Sequence, residues 1–421
     1  MKNKITDSHI DSSGFVKYDK ITLENGLTVI NEEVKSVQSF AIGIAIFTGS
    51  VNDLNTKEGS AHFLEHAIFK RTKGMNSKQI ASAFESLGGY TNAYTTKDLT
   101  CFYARALSSQ FKEITSLLTK IVFQPAFNSS DLDKERLVIA EEIKSYLDDP
   151  EELIFDYGDR MLFGKHPLGN PIVGTQKSLN NITLDDLYEM QRREYLSNKT
   201  VISIAGNVPS NIAADLLNQC CGNIQFPDIN TTNIPIKQTI MQDQRKKKPF
   251  QQSHILMGRK IKGMDSGERY LWSMLNVIFG DGMSCRLNQN IREKFGYAYS
   301  IYSTIQLYKD IGAFYIYAGV DSSKLDETEK LIKQEIAKLL DKGITDTELS
   351  RAKVQLKSSI IMSLESLSAR MQTLAKNELY LGIREEASAT IAKVDSINKK
   401  NIYDMIQENF TEDNWGTVAF L

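Results

Sequence analysis

Hydrophobic and polar positions recur along the chain with two different periods. Alternation with a period of two predicts a strand at residues 39–48, and Asn25-Gly26 marks a turn between two β-like runs in residues 20–31. The acidic stretch Asp148–Glu152 predicts a solvated loop. The helical period predicts helices at 59–70, 77–87, 107–123, 131–147 and 183–195. Because strands joined by hairpins pair antiparallel, the pattern favours an α+β fold over a doubly wound α/β fold.

The chain also contains an internal repeat. Residues Ile182–Met190 in the first half resemble Ile397–Met405 in the second, and a β-rich run follows each of them. Blocks repeated at a fixed spacing indicate a duplicated domain. We therefore predict two homologous domains, each a mostly antiparallel sheet packed with helices. Their ranges are residues 14–222, a polar linker at 223–249 that ends in a basic run, and residues 250–421.

Composition and charge exclude several classes of function. The 421 residues exceed one ordinary domain, and 50 basic residues against 52 acidic ones give no electrostatic case for nucleic-acid binding. No apolar run approaches the roughly 20 residues of a membrane span. The N-terminus lacks the apolar core of a secretory signal and carries Asp7 and Asp11 early. The four cysteines lack metal-ligand spacing, so we expect reduced thiols in a cytoplasmic protein.

Two of the five histidines stand in the segment His62-Phe63-Leu64-Glu65-His66. We place it on a helix that begins with Ser60 as N-cap. Residues four apart share one helix face, so both imidazoles would point the same way and bind one zinc ion at about 2.0–2.1 Å. Glu65 lies near that face and could reach a water molecule on the metal. A random chain with five histidines would rarely contain this pattern.

A catalytic zinc ion needs a third protein ligand. The remaining histidines are poor candidates because they lie in a polar leader, in a turn and at the start of the second half: His9, His166 and His254. The predicted helix 131–147 is better, because Glu135 and Glu142 are seven residues apart and share one face, whereas Glu141 points elsewhere. The spacing leaves both glutamates open as ligands.

These residues resemble a known family. His62–His66, followed later in the chain by Glu142, is similar to the inverzincins, the insulinase or pitrilysin-type metallopeptidases with the H-x-x-E-H signature. The match is closest to their short, mitochondrial-processing-peptidase-like branch. The stretch Glu135–Glu142 resembles the second ligand helix of that family. The resemblance implies Glu142 as the third ligand of one Zn²⁺ per chain and Glu135 as a carboxylate that supports the ligands.

The resemblance extends to substrate-binding segments. Gly88–Thr95 is similar to the edge strand on which the family lays the substrate backbone, which implies a binding role for Asn92 and Ala93. In the second half, Arg292–Ser300 looks like the segment in which an Arg and a Tyr seven apart reach the substrate, and Arg292 and Tyr299 match. The family fold implies that the two domains face each other across a substrate chamber.

The function implied is that of a zinc-dependent endopeptidase acting on short or unfolded peptides, with Glu65 as general base. Arg292 or Tyr299 would stabilise the oxyanion or hold the substrate. A homodimer that binds neither nucleic acid nor membrane is expected. The alternative is a non-catalytic peptide-binding or partner subunit of a heteromeric processing peptidase, since relatives in the respiratory bc1 complex keep the fold without the chemistry. A purely structural zinc would leave Glu65 without a role.

Overall fold

The computed structural model describes residues 4–10, 16–227, 229, 235, 243–411 and 415–421. Its strands are, in chain order, β1 (Lys4–Ile10), β2 (Val16–Thr22), β3 (Thr28–Val34), β4 (Ser39–Ile46), β5 (Arg71–Thr72), β6 (Met75–Asn76), β7 (Tyr90–Thr95), β8 (Thr100–Leu107), β9 (Thr200–Gly206), β10 (Gln244–Lys246), β11 (Ser253–Lys262), β12 (Ala298–Leu307), β13 (Ile311–Val320) and β14 (Gly416–Phe420).

The α-helices are α1 (Ser60–Ile68), α2 (Ser77–Ser86), α3 (Phe111–Phe123), α4 (Ser129–Asp148), α5 (Pro150–Phe163), α6 (Gln176–Asn181), α7 (Leu184–Glu194), α8 (Ser210–Cys221), α9 (Arg269–Phe279), α10 (Leu325–Lys342), α11 (Asp346–Ser363), α12 (Leu367–Leu381), α13 (Ala387–Ser396) and α14 (Lys399–Asn409). The helices predicted in the first half correspond to α1, α2, α3, α4 and α7. No helix among the described residues is long and apolar enough to cross a membrane.

The described chain divides into two compact units. The first takes the described residues of 1–144, 170–233 and 363–384, and the second those of 145–169, 234–362 and 385–421. Each unit is built on its own sheet, and the α+β class is confirmed. The predicted domain start at residue 14 and the linker residues 228, 230–234 and 236–242 lie outside the described residues.

The sheet of the first unit has the strand order β1-β2-β3-β9-β4-β8-β7. Its pairs are antiparallel except β3 with β9, which run parallel. The central strands β4 and β9 are almost continuously apolar and buried, because helices cover both of their faces. Helices α1, α3, α7 and α8 share one apolar core with the sheet, whereas α12 packs on β4 and β9. Strand β7 forms the outer edge.

The sheet of the second unit has the order β10-β14-β11-β13-β12. Helix α5 packs on β11 and β14, and helices α9, α10 and α14 contribute to the apolar core of the unit. The repeat seen in the sequence reappears as α7 and α14. Each begins with a capping box, built by Thr183 with Asp186 and by Asn398 with Asn401.

Two local expectations differ from the structure. The acidic stretch is not a loop: Asp148 ends α4, and the Asp149 carboxylate caps α5 by accepting the backbone N–H groups of Glu151 and Glu152. The end of the predicted linker is also ordered, because residues 244–246 form β10 beside β14. Arg245 there donates to Asp326 and Glu329 with its side chain 44% exposed, so the basic run begins on the surface of the second unit.

Candidate metal centre

Helix α1 carries the two histidines, and its start is fixed by a residue upstream. The helix begins after Gly59, whose φ of 88° suits glycine, so Ser60 is the first helical residue and not the N-cap. The Asp53 carboxylate accepts the backbone N–H groups of Gly59 at 2.6 Å and Ala61 at 2.8 Å. It also accepts the hydroxyl of Ser60 at 3.0 Å. These bonds satisfy donors that a helix start leaves open.

The three side chains predicted as ligands converge on one point. Nε2 of His62 lies 3.6 Å from Oε1 of Glu142, and Nε2 of His66 lies 3.6 Å from Oε2 of the same carboxylate. One donor atom from each residue lies within 4.8 Å of the others. Ligand atoms around a tetrahedral zinc ion are about 3.4 Å apart, as bond lengths near 2.0–2.1 Å require. Two imidazoles and one carboxylate at this spacing fit a zinc ion.

The electrostatics of the site also suit a cation. Burial, with the neighbouring His66, lowers the pKa of His62 to about 3, so this imidazole is neutral, the form that binds metal. Burial alone would lower the pKa of His66, but its bond to Glu135 and the charges of Glu65 and Glu142 raise it. Three carboxylates therefore stabilise positive charge at this point.

Glu135 supports one of the ligands. Its Oε1 accepts from Nδ1 of His66 at 2.8 Å, and its Oε2 accepts from Nζ of Lys70 at 2.6 Å. Glu135 is buried, which would raise its pKa, yet these two bonds lower it. A carboxylate on Nδ1 fixes the ring orientation and leaves Nε2 for a metal. The structure thus places Glu135 against His66, and its supporting role stays a prediction.

Glu65 lies beside the ligands without being one of them. Its Oε2 accepts the hydroxyl of Thr95, the last residue of β7, at 2.6 Å. Burial raises the pKa of Glu65, and the charge of Glu142 adds to the rise. A carboxylate with a raised pKa is suited to both accept and return a proton near neutral pH.

The edge strand β7 carries the two predicted substrate-binding residues. The backbone N–H of Ala93 donates to the side-chain oxygen of Asn92 at 2.9 Å. Because the Asn92 side chain accepts this N–H, the N–H does not donate to the neighbouring strand β8. Another extended chain could accept it at the free edge.

Arg292 and Tyr299 lie in the second unit. Arg292 is exposed in a π-helical turn at Asn288–Glu293 and lines a cavity of about 440 Å³, together with Asn276, Asp281 and Tyr302. Tyr299 lies in β12, where the pairing with β13 shifts register, and its side chain is 80% exposed.

Three contacts of the site were not predicted. Asp53 caps α1 across a loop, and no local pattern signals it. Lys70 stands four residues after His66, so helical spacing could have indicated it. Thr95 stands two residues after Ala93, on the same side of a strand, and this alternation could have placed it toward α1.

The chain is similar in sequence and in fold to known proteins. The chain is 33% identical to the uncharacterized zinc protease YmxG of Bacillus subtilis, over 94% of this chain and 96% of that protein. It is 32% identical to an uncharacterized zinc protease of Mycobacterium leprae, over 91% and 87%. A crystal structure of a protease from Helicobacter pylori shares the fold, with a TM-score of 0.91 and 22% identity over 96% of this chain and 100% of that one.

Two family models cover most of the chain. Residues 28–176 match the insulinase model of peptidase family M16, and residues 181–356 match the model described as the peptidase M16 inactive domain. A structure of a peptidase M16 inactive domain from Pseudomonas fluorescens has the same fold, with a TM-score of 0.90 and 20% identity over 96% of this chain and 97% of that one. With two M16 domains in order and clear sequence identity to zinc-protease relatives along nearly its whole length, the chain belongs to the insulinase family of peptidases, family M16.

Proposed function

We propose that this chain is a zinc-dependent endopeptidase that hydrolyses short or unfolded peptides. One observation carries the proposal: donor atoms of His62, His66 and Glu142 converge at zinc-ligand spacing, with the Glu65 carboxylate beside them. A structural zinc site is closed by four protein ligands, whereas three ligands leave a position open. The names of the zinc-protease relatives support the same conclusion.

In this mechanism the three ligands would hold one zinc ion per chain. Zinc bound there supplies a Lewis acid that lowers the pKa of a water molecule and polarises a carbonyl group. A carboxylate oxygen of Glu65 accepts the proton of the attacking water and then donates it to the departing amine nitrogen. Glu135 keeps the ring of His66 oriented throughout through its bond to Nδ1.

The substrate would bind as an added strand. The backbone N–H of Ala93 at the free edge of β7 would donate to a substrate carbonyl once the Asn92 side chain moves aside. A chain must be extended to pair in this way, which favours short or unfolded peptides over folded proteins. The roles predicted for Arg292 and Tyr299 rest on the family resemblance and stay predictions, as do the homodimer and the cytoplasmic location.

A digest of an unstructured peptide pool tests the proposal. The peptides are acetylated and amidated at their ends, so that only internal cleavage is scored, and products are read by mass spectrometry. We expect the wild type to cleave and Glu65→Gln to bind zinc without cleaving. Glu142→Gln should lose zinc by elemental analysis, whereas the matched control Glu141→Gln should keep both zinc and activity, because Glu141 is exposed and paired with Lys144.

Two outcomes would contradict the proposal. Zinc that remains bound in Glu142→Gln would remove Glu142 from the ligand set. A wild-type protein that binds zinc but cleaves no peptide would favour the partner-subunit alternative. A search for a second chain that restores cleavage would then follow.

A further inference from the structure

The carboxylate of Glu65 is held by one side chain. The hydroxyl of Thr95 donates to its Oε2 at 2.6 Å, and in the described part of the chain this is the one hydrogen bond that the carboxylate makes. Burial raises the pKa of Glu65, whereas the bond from Thr95 and the neighbouring His66 act to lower it. The Thr95 hydroxyl thus holds the carboxylate by Oε2 and leaves Oε1 available for chemistry.

Thr95 also belongs to the strand that is proposed to receive the substrate. Ala93 and Thr95 are two residues apart in β7, so their side chains lie on the same face of the sheet. That face packs against α1, the helix of Glu65. By the same alternation their backbone groups point to the same edge of the strand. One residue thus links the edge at which a substrate would pair to the side chain that would act on it.

The position of the Thr95 hydroxyl is itself fixed. Thr95 pairs with Thr100 of β8, and the Thr100 hydroxyl donates to the backbone oxygen of Thr48 at 2.9 Å. The chain turns directly after Thr95, where the N–H of Thr96 donates to the oxygen of Leu99 at 2.7 Å. A donor fixed in this way orients its acceptor before a substrate binds.

We propose that Thr95 is a positioning residue, which couples a peptide docked on β7 to the general base Glu65. The inference rests on the proposed endopeptidase function and adds a specific residue to it. It requires the hydroxyl group and not merely the shape of the side chain. The substitution Thr95→Val removes the hydroxyl and keeps the β-branch, whereas Thr95→Ser keeps the hydroxyl.

Steady-state kinetics on one cleaved peptide test this role. We expect Thr95→Val to lower kcat by about 10–100-fold, part of the roughly 10²–10⁴-fold that a general base supplies, with KM changed less than about threefold. Thr95→Ser should stay within about threefold of the wild type in kcat. The matched control is Thr91→Val, on the same face of the same strand, whose hydroxyl donates to the Tyr103 backbone at 3.0 Å and not to Glu65. The kcat of Thr91→Val should also stay within about threefold of the wild type.

The variants separate the two claims. Full activity in Thr95→Val, with none in Glu65→Gln, would overturn the role of Thr95 and leave the proposed function standing. Equal losses in Thr95→Val and Thr91→Val, or no rescue by Thr95→Ser, would show that strand shape matters and not the hydroxyl, which also overturns it. A wild-type protein that cleaves no peptide would overturn both claims. Zinc content and circular dichroism of each variant establish that metal and fold are retained.

Discussion

Asp98 lies in the turn between β7 and β8, and its titration should make the stability of the first unit depend on pH. The side chain is buried, with 8% of the residue exposed, and its Oδ1 accepts the hydroxyl of Tyr380 in α12 at 2.7 Å. Burial raises the pKa of Asp98 to about 6, although Tyr380 and the charge of Lys376 act to lower it. Substitution by asparagine removes the ionisation and keeps an oxygen for Tyr380.

The direction and size of this pH dependence follow from the number of protons that the folded and unfolded chains bind. An unfolded Asp titrates near pH 4, so between about pH 4 and pH 6 the folded chain holds a proton that the unfolded chain has released. Stability therefore falls as pH rises through this window and levels off above it. Two pKa units correspond to about 3 kcal/mol, of which roughly 2 kcal/mol falls between pH 4.5 and pH 8. The free energy of unfolding of Asp98→Asn, relative to wild type, should rise by that amount.

Urea unfolding followed by far-ultraviolet circular dichroism measures this difference. Wild type and Asp98→Asn are compared at pH 4.5 and pH 8, and groups common to both proteins cancel in the double difference. Trp272 and Trp415 both lie in the second unit, so their fluorescence records whether the effect stays in the first. A difference between the two proteins that is the same at both pH values would refute the reasoning, because it would mean that Asp98 does not titrate in the window.

Three further perturbations address the metal, the packing and an ion pair. Glu135→Gln should weaken zinc binding by about 10–100-fold, measured by competition with a chelating dye, because it loosens the ring of His66. Gly43→Ala would bring Cβ into collision with Sδ of the buried Met371, so urea unfolding should report a loss of about 1–3 kcal/mol, and the same substitution should cost less in a Met371→Ala background. Arg286→Met should lower the free energy of unfolding by about 1–3 kcal/mol at pH 7 and by less at pH 4, measured in thermal melts. Burial would raise the pKa of Glu348, but Arg286 holds it low, and that stability is lost as pH falls.

Sequence predicted best the features that depend on neighbours in the chain. The helical spacing of His62 and His66 fixes their shared face whatever the rest of the fold does. Glu135 and Glu142 were confined to one face of α4 by the same argument, and the structure brings both to the histidines. Spacing alone could not decide which of the two glutamates meets Nε2 and which meets Nδ1. That choice depends on how α4 packs against α1, which no local pattern contains.

Features set by distant contacts were missed for the same reason. Asp53 reaches the start of α1 across a loop, so the sequence suggested Ser60 as the cap although Asp53 supplies the acceptor. Helix α5 was not predicted, since the acidic residues at its start read as a loop. They stabilise a helix because a carboxylate at the N-terminus accepts free backbone N–H groups, and its negative charge interacts favourably with the positive end of the helix dipole.

Helices α5 and α12 show how the duplicated fold could keep its structure while only one half of the sequence keeps the metal ligands. The repeat offset of 397 − 182 = 215 residues carries α5 to residues 365–378, which overlap α12. Each helix nevertheless packs on strands from the other half of the sequence: α12 covers β4 and β9, and α5 covers β11 and β14. Each half therefore needs a helix from the other to complete an apolar core. The position that corresponds to Glu142 has no such role in packing: the offset places Lys357 there (142 + 215 = 357), and Lys357 forms a partly exposed pair with Asp395 at 2.8 Å. A glutamate ligand can therefore be lost at this position without opening the core, whereas loss of either exchanged helix would expose apolar strands.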